Sequence, residues 1–66
     1  MTFGERLVAL RKARKITQEE LAEKIGVSRT SICKYEGNLV EPRLITLICL
    51  ASVLGVSIDY LAKGDN

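Results

Sequence analysis

The sequence contains no histidine, no tryptophan and one proline, and its aromatic residues are only Phe3, Tyr35 and Tyr60. Each shortage excludes something. Without histidine, and with Cys33 and Cys49 in no CxxC pair, a zinc site has too few ligands. No Gly-rich phosphate loop and no other metal constellation is present, so the chain reads as no enzyme and as needing no cofactor. Few aromatics leave the core to Leu, Ile, Val and Ala, a composition that favours helices packed on helices. No apolar run reaches the roughly 18 residues of a membrane span. The start, Met1-Thr2-Phe3-Gly4-Glu5, lacks the basic-then-apolar layout of a signal peptide. The expectation is a cytoplasmic location, no membrane partner, and two reduced thiols.

What is present suits one domain over residues 1–66. Apolar residues make up 47% and charged residues 27%, a globular rather than a disordered balance. The net charge is only +2, but Arg6, Arg11, Lys12, Arg14 and Lys15 follow one another with no acid between them. Such grouping is either the footprint of a polyanion partner or a solvated helix end.

Apolar spacing and capping signals predict five helices, at about 3–14, 18–25, 29–36, 43–54 and 58–62, and hence an all-α five-helix bundle. Thr2 with Glu5, and Thr17 with Glu20, are capping boxes. Phe3, Leu7, Leu10 and Ala13 form the inner stripe of the first helix. Leu21, Ala22 and Ile25 form that of the second. Gly26 ends the second helix, and Ser28 caps the third almost at once, so the two must cross steeply, at about 90–120°. Ala22 suits the crossing point, and Ile32 and Tyr35 anchor the third helix while its other face stays free. Pro42 is placed in the first turn of the fourth helix.

On these residues the chain resembles the Cro/C1-type (XRE) family of phage repressors and bacterial regulators. The matching phrases are FGERLVALRKARKITQEELAEKIGVSRTSICKYE and EPRLITLICLASVLGVSIDYL, which cover nearly the whole chain. The resemblance implies a lambda-repressor-like bundle whose second and third helices form a helix-turn-helix. It also implies a bacterial or phage origin and double-stranded DNA as partner, with residues 28–36 as the recognition element in the major groove. Arg29, Thr30, Cys33 and Lys34 occupy the base-facing positions. Arg29 is suited to the O6 and N7 atoms of guanine. Gln18, Ser28, Ser31 and Asn38 occupy positions that meet the DNA backbone, Ser28 being read first as a helix cap. Arg11 and Glu36 occupy the positions of a structural ion pair that supports the reading helix.

The chain departs from the family pattern beyond the third helix. Leu39 and Val40 stand where basic residues are usual, and residues 44–58 contain no charge. Leu44, Leu47, Ile48, Leu50, Ala51 and Leu54 are expected to face inward. An all-round apolar helix at the edge of so small a domain needs cover, and a homodimer interface of Leu39, Val40, Ile45, Cys49, Val53 and Val56 is predicted. A dimer would read an inverted repeat, with half-sites about 34 Å apart. Repression is the expected outcome, since little surface is spare for recruiting polymerase. The competing reading is a protein-interaction or antitoxin-type module that uses the apolar fourth helix. The retention of Arg29 and Lys34 argues against it. A redox role for Cys33 or Cys49 is the lesser reading beside small, inert side chains, and no small-molecule ligand is expected.

Overall fold

Side-chain oxygens decide where four of the helices begin. The computed structural model describes residues 1–64, which form five α-helices and, among these residues, no strand. Thr2 and Glu5 close a reciprocal capping box on α1 (Phe3–Ala13), and Thr17 and Glu20 do the same for α2 (Gln18–Ile25). The Ser28 hydroxyl opens α3 (Arg29–Glu36) by accepting from the Ser31 N–H. Ser57 opens α5 (Ile58–Lys63) in the same way through Tyr60. The exception is α4 (Leu44–Leu54), whose N-cap is Arg43 and which no side chain caps. Pro42 therefore precedes the cap instead of occupying the first turn.

The helix ends follow backbone conformation. Gly26 adopts φ 74°, the left-handed geometry that lets α2 stop and the chain reverse directly towards Ser28. The first helix ends without a glycine. Lys15 takes φ 57° itself, and the Arg11 guanidinium fastens the turn by donating to the Ile16 carbonyl at 3.0 Å.

Every helix contributes to one core: Leu7, Leu21, Ala22, Ile32, Tyr35, Leu50, Ala51, Leu54 and Leu61. A leucine buried this fully contributes about 1.5–3 kcal/mol. The third helix packs against α1 and α2, α4 against α2 and α5, and α5 against α1. The α2–α3 pair is thus braced from behind, with one side of α3 left open.

The inner faces differ from the predicted stripes in two places. In α1, Ala13 is exposed, whereas Gly4 and Arg6 are buried. A Cβ on Gly4 would collide with the Glu36 carbonyl, so only glycine lets the start of α1 meet the end of α3 backbone to backbone. Arg6 donates to the Leu61 carbonyl at 3.1 Å and to the Met1 carbonyl at 3.4 Å. There it faces the negative end of α5. In α4, Leu44 is 68% exposed and Ile48 40%, so the buried face is narrower than expected and the exposed apolar face wider.

Candidate nucleic-acid interface

A side chain can reach a partner only from a face the core does not need. Ile32 and Tyr35 commit one side of α3 to the core, and helical periodicity then turns Arg29, Thr30, Cys33 and Lys34 outward. All four are exposed. Arg29 and Lys34 have no hydrogen-bonded or ion-paired partner among the described residues, so both cations stand free on this face.

Beneath the face runs a polar network. Arg11 Nε donates to Glu36 Oε2 at 2.6 Å, and Arg11 Nη2 to Glu36 Oε1 at 3.3 Å. Both side chains are nearly covered, 11% and 8% exposed. Burial makes the charges depend on each other, because either one alone would be stranded away from water. Gln18, the first residue of α2, adds its Nε2 to Glu36 Oε1 at 2.8 Å. Its Oε1 accepts from the Cys33 thiol at 3.3 Å. The network therefore ties α1, α2 and α3 together at the rim of the exposed face.

The other expected backbone-contacting residues have distinct placements. Ser28 and Ser31 lie side by side, hydroxyl to hydroxyl at 3.1 Å, with Ser28 acting as the cap. Asn38, at φ 59°, is drawn into the fold. Its Oδ1 accepts from the Gly4 N–H at 2.9 Å, and its Nδ2 donates to Thr2 Oγ1 at 3.0 Å. That bond supplies a partner for one of the N–H groups that the start of α1 leaves without one. The side chain expected to meet a phosphate is thus first a clamp between the end of α3 and the start of α1. Sequence reasoning missed this second task; the local signal was Asn38 itself, a residue type that accepts left-handed geometry next to a helix end.

The basic run near the N-terminus does not make one patch. Arg6 is buried, Arg11 is neutralised by Glu36, and the Arg14 guanidinium lies against Gly55 at the end of α4. Lys12, Arg14 and Lys15 are the exposed cations of this run.

The residues expected at a dimer interface fall into two groups. Leu39 is 77% exposed, Ile45 63% and Val40 48%, and Leu44 and Ile48 join them. Cys49 is half-buried, while Val53 and Val56 are half-buried against the core. Val53 also lines a shallow hollow with Arg14, Ile16 and Lys24, on the side facing α1 and α2. An open cleft of about 300 Å³ adjoins the exposed group, lined by residues including Phe3, Val40, Pro42 and Leu47.

Among the described residues no three metal-ligating side chains cluster, and no helix is long and apolar enough to cross a membrane.

The family model described as helix-turn-helix matches residues 7–61. The immunity repressor protein of Bacillus phage phi105 is 43% identical over 66 residues, which is 100% of this chain and 46% of that protein. The chain spans between 32% and 59% of the length of the first curated relatives it matches. Among solved structures, the P22 c2 repressor in complex with a synthetic operator superposes with a TM-score of 0.95 at 42% identity, covering 98% of both chains. SinR in complex with DNA gives a TM-score of 0.84 at 34% identity, covering 91% of this chain and 97% of that one. From the family match, the likeness of sequence and the superposed fold together, the chain belongs to the helix-turn-helix family, in its Cro/C1-type (XRE) branch.

Proposed function

We propose that this domain binds double-stranded DNA sequence-specifically as a homodimer on an inverted-repeat operator, and represses transcription there. The observation that carries the reading is the open face of α3, where Arg29 and Lys34 stand unpaired on a helix braced by α1 and α2. Sequence is read by Arg29, Thr30 and Lys34 at base edges, with the Cys33 sulfur and Cβ packed between them. Gln18, Ser28 and Ser31 set the docking angle on the phosphates, and Asn38 offers its remaining amide hydrogen. The Arg11–Glu36 pair keeps the reading helix in place. A neutralised Glu36 is essential in this role, since a bare carboxylate so close to DNA would repel it.

A second copy covers Leu39, Val40, Leu44, Ile45 and Ile48. Charge supports a like partner. Glu41 and Arg43 flank this apolar edge, both exposed and neither paired with another described residue. Across a twofold axis an acid and a base at such positions pair reciprocally. Cys49 lies at the margin of this edge. Val53 and Val56 serve the core first and meet a partner only with the surface they still expose.

The test is selection of binding sites from a random duplex pool by the purified protein at near-physiological salt. Recovery of an inverted repeat with half-sites about 34 Å apart is the expected result. Recovery of no preferred sequence would overturn the reading.

A further inference from the structure

The polar network at the rim of the reading face has a direction. Arg11 can only donate, and the Glu36 carboxylate can only accept. The Gln18 amide must therefore turn its NH₂ group towards Glu36, where Nε2 lies 2.8 Å from Oε1. Its oxygen is left facing α3, 3.3 Å from Cys33 Sγ. A carbonyl oxygen only accepts, so the thiol is the donor, and its proton points inward towards α2 and away from the open face.

We propose that Cys33 is a positioning residue for Gln18: Glu36 sets which end of the amide faces it, and the Cys33 S–H pins the oxygen end, so that the second Nε2–H stays directed at a DNA phosphate. The inference rests on the DNA-binding reading above and deepens it. A glutamine at the exposed start of a helix samples many rotamers, and fixing one of them costs entropy at the moment of binding. Here the amide is held at both ends before DNA arrives. The carboxylate grips the nitrogen and the thiol grips the oxygen, so that cost is met during folding. It follows that Cys33 gives no hydrogen to a base, and offers the groove only its Cβ and sulfur lone pairs. The side chain at position 33 thus acts on affinity through α2 as well as through α3.

Three variants of the full chain test this against the selected operator. Cys33→Ala removes the donor, Cys33→Ser keeps one, and Gln18→Ala removes the phosphate contact. The plot of log K against log salt is expected to have the same slope for the wild type and Cys33→Ser. Gln18→Ala is expected to flatten it by about 0.9, the value of one phosphate. Cys33→Ala should flatten it in the same direction and weaken binding several-fold, yet add nothing when combined with Gln18→Ala. Unchanged slope and affinity in Cys33→Ala, or a loss fully additive with Gln18→Ala, would overturn the proposal.

A second measurement needs no DNA. Relaxation of the Gln18 side-chain ¹⁵N should show a rigid amide in the wild type and Cys33→Ser, and a mobile one in Cys33→Ala. A rigid amide in Cys33→Ala also overturns the inference. Failure of the wild type to prefer any duplex defeats the DNA reading alone, because the relaxation experiment still decides what Cys33 does.

Discussion

The open face of α3 and the exposed edge of α4 are both free surface, yet they are built in opposite ways. On α3 the outward residues are polar, and the layer beneath them is fastened by charged and neutral hydrogen bonds from α1 and α2. On α4 the outward residues Leu44, Ile45 and Ile48 are apolar, and the helix start has no side-chain cap. A surface that must present donors at fixed positions needs support from behind. A surface that is to be covered needs only shape and freedom from charge. The contrast supports the proposal that the two faces meet different partners.

The comparison breaks most severely at Glu36. Glu36→Ala strands Arg11 in a nearly closed site, and removing one member of such a pair costs about 3–5 kcal/mol. A clear fall in the thermal midpoint is expected, together with loss of operator binding. If both were unchanged, the reading face would not be held from beneath and the contrast would fail. Arg29→Ala sharpens it. Its side chain is exposed and unpaired, so stability should hold, while about 1–3 kcal/mol of discrimination at one base pair disappears. Site selection with the variant would show relaxed preference at that position only.

Ile45→Glu probes the other face. Domain stability should move by no more than about 0.5 kcal/mol, as for other exposed positions. Sedimentation should nevertheless report monomers where the wild type gives dimers; persistent dimers would mean that the edge is not the interface. The smallest effect is one of pH. Hydrogen bonds from Thr2 to Glu5 and from Thr17 to Glu20, backbone first and side chain second, hold both carboxyls below the usual glutamate range. With the folded values lowered, the stabilisation is present above the ordinary range and is lost as pH falls through the lowered values. Acid should therefore loosen α1 and α2 and leave the start of α4 without any such response. Acid titration of Glu5→Gln/Glu20→Gln, followed by amide exchange helix by helix, should lack that slope.

The fold was legible because its punctuation is local. Thr2, Thr17 and Ser28 cap the helices they were expected to cap, and Gly26 turns where it was expected to turn. Placement on a helix face was also legible for Arg29, Thr30, Cys33 and Lys34, since Ile32 and Tyr35 fix the wheel. Less legible were tasks set by residues distant in sequence. Arg6 looked like one more surface cation, because Leu61, its acceptor, lies 55 positions away. Asn38 looked like a loop residue free to meet DNA until Gly4 and Thr2 appeared beside it. Leu44 and Ile48 looked buried because periodicity reports which residues share a face, and not how much of that face the neighbouring helices can cover.

The Arg6 clamp has a consequence for how the domain can be rewired. One guanidinium grips the carbonyls of Met1 and Leu61, so the first residue and the last helix are held as neighbours. A short peptide could bridge them, and the chain could be opened elsewhere, for instance in the exposed stretch around Leu39 and Val40. Such a circular permutant would keep every helix and the whole core. It would also place the new ends on the apolar edge, where a fused segment could take the place of the second copy.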